Sequence, residues 1–79
     1  MLIDLQTAVA KIQNSKDPVA ITGELVLAEG GFWNPREAAD PTKLFTIQLF
    51  EIQGSGIGAA AALDDWLSKA KEELNPGAK

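Results

Sequence analysis

The chain has 79 residues, enough for one domain with a thin core, because a chain this short buries only about 60–65% of the surface that it exposes when unfolded. It has no cysteine and no histidine, which excludes disulfides and the thiolate or imidazole forms of a structural metal site and leaves self-association as the remaining way to add stability. Seven basic and eleven acidic residues give a net charge of −4 with no block of either sign, so the clustered cations that hold a nucleic-acid backbone are missing.

The single arginine is Arg36, and the closest basic pair, Lys69 and Lys71, is followed by Glu72 and Glu73. The longest uncharged run, from Ile52 to Leu63, is twelve residues and contains Gln, Ser and three Gly, too short and too polar to span a bilayer. Asp4 stands where a signal peptide carries positive charge. These features predict a cytoplasmic protein without a membrane or nucleic-acid partner, and without a metal or other cofactor.

In chain order, Leu2, Leu5, Ala8, Val9 and Ile12 recur at helical spacing, with Gln6, Lys11 and Gln13 turned away, which predicts an amphipathic helix over residues 2–14. The stretch NSKDP ends it, since the residue before Pro18 is pushed out of the helical region. Residues 19–29, VAITGELVLAE, alternate as a strand does, with Val19, Ile21, Leu25 and Leu27 on one face and Thr22 and Glu24 on the other. Residues 43–53, KLFTIQLFEIQ, repeat the pattern with Phe45, Ile47 and Leu49 against Thr46 and Gln48. The two read as one antiparallel pair.

Between them, Asn34 followed by Pro35 and Glu37 has the form of a helix cap, which predicts a helical turn through PREAA, ended by Asp40 and Pro41. Beyond the glycines, Ala59, Leu63, Trp66, Leu67, Ala70 and Leu74 form a helical stripe, with Asp65 and Lys69 as an i, i+4 pair on its exposed side and NPG at 75–77 as its stop. The expected fold is α+β: a single domain over residues 1–75 with a tail at 76–79, in the order helix, strand, strand, helix. It has a two-stranded antiparallel sheet, open to extension across a dimer, and a short helical turn in the connection between the strands.

A lone two-stranded sheet is marginal even with helices on it. Val26, Leu44, Phe50 and Ile52 fall on the side away from the inferred core, and Ala62, Trp66 and Ala70 give the last helix a flat face. A homodimer is therefore expected, with Phe50, Ile52, Ala62, Trp66 and Ala70 at its interface, because a symmetric pair uses one patch twice.

The stretch GSGIGAAAALDDWL, 54–67, raises the question of chemistry. Gly54, Gly56 and Ala59 fit the spacing of a dinucleotide-binding turn, but the second parallel strand and its acidic residue do not follow, and no Lys-Ser or Lys-Thr of a phosphate loop succeeds the glycines. The glycines read as a sharp reversal and a close approach of the last helix to its neighbour. An anion held by the backbone of Ser55, Gly56, Ile57 and Gly58 at the helix start, beside a polar patch of Glu24, Thr22, Thr46 and Gln48, is the alternative.

Asp64 and Asp65 point about 100° apart on a helix, so they do not converge on one atom and read as solvated. A chain without His, Cys or Tyr has lost the commonest bases and nucleophiles, which predicts no enzyme activity. Phe32, Trp33 and Arg36, clustered in a glycine-rich connection, are residue types enriched at binding hot spots and are the candidate contacts to a protein partner; the alternative is a loop folded back so that both rings fill the thin core. The whole reads as a homodimeric protein-protein interaction module.

Overall fold

Asp4 accepts a hydrogen bond from the Thr7 N–H at 2.7 Å, and helix α1 (Leu5–Gln13) starts on that cap. The computed structural model describes residues 4–74, so Leu2, the stop at 75–77 and the tail at 76–79 lie outside the described residues. Ala8, Val9 and Ile12 face inward from α1, as their spacing predicts.

Residues 19–29 are helical. Helix α2 spans Pro18–Ala28, with the Asp17 carboxylate accepting from the Ala20 N–H at 3.2 Å and Pro18 in the first turn. The Asp-Pro pair that closes α1 is also a cap and first-turn proline for α2, where proline's missing N–H costs nothing. Thr22, Gly23 and Val26 are buried, while Val19, Ile21 and Leu25 pack against the core from the sides. The run is apolar almost all round, and such a run satisfies the strand period and the helix period at once. Buried Thr22 donates its hydroxyl to the Pro18 carbonyl at 2.7 Å, so it is satisfied inside the helix. Gly30, at φ 84°, ends α2: its N–H reaches the Leu27 carbonyl and that of Gly31 the Val26 carbonyl, the paired bonds of a Schellman stop.

Helix α3 (Pro35–Ala38) forms on the predicted cap, with the Asn34 side chain accepting from the N–H groups of Arg36 at 2.9 Å and Glu37 at 3.3 Å. It precedes both strands, since α2 occupies the place of the expected first strand. The strands are β1 (Leu44–Leu49) and β2 (Ile52–Ile57), antiparallel from Leu44 opposite Ile57 to Leu49 opposite Ile52, and α4 (Ala59–Leu74) follows. The chain is thus α+β with a two-stranded antiparallel sheet, but the partner of β1 is the segment directly after it.

Phe50 and Glu51 make the two-residue turn, with φ of 55° and 62°. Two positive φ values are what a type I′ hairpin turn requires, and they are normally supplied by Asn-Gly. Here residues with a Cβ accept the left-handed conformation, at about 1 kcal/mol each. Glu51 is exposed, so Glu51→Gly is expected to raise stability by about 0.5–1 kcal/mol, net of the entropy that glycine adds to the unfolded chain. Urea unfolding at low chain concentration measures it.

Phe45, Ile47, Leu49 and Ile52 face inward with Gly54, and α4 lies directly on this face. A Cβ on Gly54 would land on the backbone of Trp66, 2.6 Å from its Cα, and one on Gly56 would sit 2.8 Å from the Ala61 Cβ. The glycines therefore serve close approach, while Gly58, at φ 89°, supplies the reversal into α4. Trp66, with no exposed surface, donates its indole N–H to the Leu49 carbonyl at 3.1 Å.

This packing relocates most of the expected dimer interface. Ala62, Trp66 and Ala70 are fully buried in the chain's own core and have no surface left for a second copy, Ile52 has little, and Phe50 is half-buried at the turn. Val26 is likewise core, because it sits on α2 and faces inward.

Candidate functional site

Every side chain on the outer face of the hairpin is exposed, in three cross-strand pairs: Leu44 with Ile57, Thr46 with Ser55, and Gln48 with Gln53. None of the six carries a charge, although charged residues make up 23% of the chain. Leu44 is 67% exposed and Ile57 61%, an aliphatic pair held side by side in water. Strand alternation puts these residues outside because the odd-numbered half of β1 is committed to the core.

The two edges of the sheet differ. Along β2, the Ser55 N–H donates to the Asp65 carboxylate at 2.9 Å, and Lys69 Nζ donates to the Gln53 carbonyl at 2.9 Å. Asp65 and Lys69 also pair with each other at 3.1 Å, one turn apart on α4. The expected i, i+4 pair is thus present and does more than decorate a helix, since it closes a strand edge. The Ser55 N–H, followed by the Lys69 ammonium, holds the Asp65 carboxyl below its ordinary value. Thr7 does the same for Asp4 through its backbone N–H, and the Thr42 hydroxyl does so for Asp40.

A depressed folded-state value means that the stabilising contribution is fully present above the ordinary Asp value of about 4 and is lost as pH falls from there through the lower folded-state value. Asp65→Asn is therefore expected to be less stable than the wild-type chain at pH 7 and to converge with it near pH 2, as read by thermal melts across that range.

Along β1, the edge is unbonded among the described residues but covered in part. The Gly58 N–H donates to the Lys43 carbonyl at 2.9 Å, so the odd-numbered residues of this strand aim their backbone groups at β2. The N–H and carbonyl groups of Leu44, Thr46 and Gln48 then point away, and no described residue bonds them. Gly31, whose N–H goes to the Val26 carbonyl, lies against the Gln48 end of this edge, a Cβ there being 3.8 Å from the Gln48 carbonyl oxygen.

The expected partner-binding residues separate. Phe32 is 82% exposed and Arg36 is exposed on α3, whereas the Trp33 ring lies against Gly23 of α2 and meets Phe45 edge-on at 5.1 Å. Phe32→Ser is expected to leave the melting temperature within about 2 °C, and Trp33→Ala to cost about 2 kcal/mol, which differential scanning calorimetry distinguishes.

The residues expected to hold an anion are not at a helix start. Ser55, Gly56 and Ile57 belong to β2, and Gly58 alone adjoins α4. Three of the four amides are engaged: Ser55 by Asp65, Gly58 by the Lys43 carbonyl, and Gly56 in its pairing with Phe45. The Asp65 carboxylate beside them repels an anion. The polar patch is dispersed as well, with Glu24 and Thr22 on α2, Thr22 buried, and Thr46 and Gln48 on the outer sheet face.

Among the described residues, no group of three or more metal-ligating side chains converges, and no helix is long and apolar enough to cross a membrane. Sequence reasoning missed the edge closure by Asp65 and Lys69, because it depends on which strand α4 lies beside. No family model, curated protein or solved structure matches the chain.

Proposed function

We propose that the chain is a non-enzymatic protein-protein interaction module that works as a homodimer in the cytoplasm and uses that dimer to bind another protein. The observation that carries this reading is the outer hairpin face: six exposed, uncharged residues, with Leu44 and Ile57 adjacent, on a chain in which charged residues make up 23%. An uncharged patch with an apolar pair at one end is the kind of surface that becomes buried in a complex, since it loses little hydration when covered. Phe32 and Arg36 supply a second exposed contact for the partner protein.

The test is the mass of the Leu44→Lys, Ile57→Lys double variant beside that of the wild-type chain, by light scattering after gel filtration. The reading expects about twice 8.4 kDa for wild type and a shift towards 8.4 kDa in the variant, with the helical circular-dichroism signal unchanged. A wild-type mass of 8.4 kDa at several hundred micromolar, in the ordinary range for weak dimers, contradicts it.

A further inference from the structure

The homodimer reading names the outer hairpin face but not how two copies meet on it, and the chemistry of its three cross-strand pairs supplies that. Resting on that reading, we propose that two copies stack these faces about a twofold axis running parallel to the strands, midway between β1 and β2, so that β1 of each copy lies over β2 of the other. Each pair then meets its own counterpart: Leu44 and Ile57 on Ile57 and Leu44, Thr46 and Ser55 on Ser55 and Thr46, Gln48 and Gln53 on Gln53 and Gln48. Sheets stacked face to face stand about 10 Å apart with their strands roughly aligned, which lets such side chains touch.

A second copy is the occupant that these pairs fit. Aliphatic side chains meet aliphatic side chains, and hydroxyls and carboxamides both donate and accept, so each polar pair can bond its own kind. The four polar side chains are uncommitted. None of them bonds a described residue, because Asp65 and Lys69 hold Ser55 and Gln53 through backbone groups alone. A charged pair would repel its counterpart, and this face has none, so two chains of −4 can meet on it. A twofold axis across the strands would instead set Leu44 on Gln48 and Ile57 on Gln53, aliphatic on amide, at both ends. Six exposed side chains of this size offer about 500 Å² per copy, or about 1,000 Å² in all, the lower bound for a specific interface and the size of a reversible one.

Two variants and their mixture test the stacking. Position 48 of one copy faces position 53 of the other, so Gln48→Lys alone and Gln53→Glu alone each bring an unmatched charge into the contact. Each is expected to weaken self-association by at least about tenfold, with the circular-dichroism spectrum unchanged because both positions are exposed. In an equimolar mixture the new charges face each other. The mass is expected to return towards twice 8.4 kDa at a concentration where each variant alone is largely monomeric, as read by light scattering. Both variants remain net negative, so a gain on mixing reports the local contact and not overall attraction. A dimeric wild-type chain whose single variants associate as tightly as it does, or whose mixture is no heavier than its components, overturns the stacking and leaves the homodimer reading in place. A wild-type chain that is monomeric at several hundred micromolar overturns both.

Discussion

Trp66→Ala is expected to leave the chain close to unfolding at room temperature. The side chain has no exposed surface, it is the largest fully buried one in the described chain, and its indole N–H bonds the Leu49 carbonyl at 3.1 Å. Truncating a buried tryptophan costs about 3–5 kcal/mol from lost burial and the cavity left behind. The lost hydrogen bond adds about 1 kcal/mol. Against a total of about 4–12 kcal/mol for a domain of this size, little remains. Trp66→Phe isolates the bond, because it keeps much of the apolar contact, and is expected to cost less than half as much in urea unfolding.

Gly54→Ala is the second large effect, and the more diagnostic one for the fold. One methyl group on the strand would collide with the backbone of Trp66, and α4 is sixteen residues long and buries much of the core, so it cannot move away cheaply. Overpacking of this kind costs about 1–3 kcal/mol where a side chain can yield, and more where backbone stands in the way. A loss of at least about 3 kcal/mol is expected. Gly56→Ala meets the Ala61 backbone carbonyl carbon and Cβ at 2.8 Å and the Ala62 nitrogen at 2.9 Å, a less severe overlap than the one at Gly54 and nearer the end of β2, and is expected to destabilise less. If the glycines had formed a mobile phosphate loop, both changes would be nearly neutral in the absence of ligand. Equilibrium unfolding of the two variants decides it.

These residues also show how far the sequence could be read. The α4 stripe, the Asn34 cap and the inward set Phe45, Ile47 and Leu49 were all legible, because each rests on a local period or a side chain bonding its own backbone. Segment 19–29 was not, since Val19, Ile21, Leu25 and Leu27 alternate as a strand while Thr22 and Val26 also fall on one helical face. The deciding Asp17 cap was read as the end of α1 rather than the start of α2. The hairpin turn was hidden because its two positive-φ residues are Phe50 and Glu51, which carry no turn signal, and β2 was hidden because glycine in a strand reads as a loop.

The exposed face was legible only in part. Leu44 was placed correctly outside, but Ile57 lay in what read as a loop, and Val26 and Ile52 went to the wrong side once the strand pairing changed. Phe32 and Trp33 are adjacent in sequence yet opposite in fate, one to solvent and the other against Gly23 and Phe45. Tertiary contact decides this, and no local pattern carries it.

Sedimentation equilibrium on the wild-type chain, from about 1 to 500 μM, tests the central claim most directly, because a reversible dimer of moderate affinity changes mass across that range. The account predicts a mass rising with concentration towards about twice 8.4 kDa, at neutral pH and moderate salt. A mass that stays at 8.4 kDa to the top of the series contradicts it.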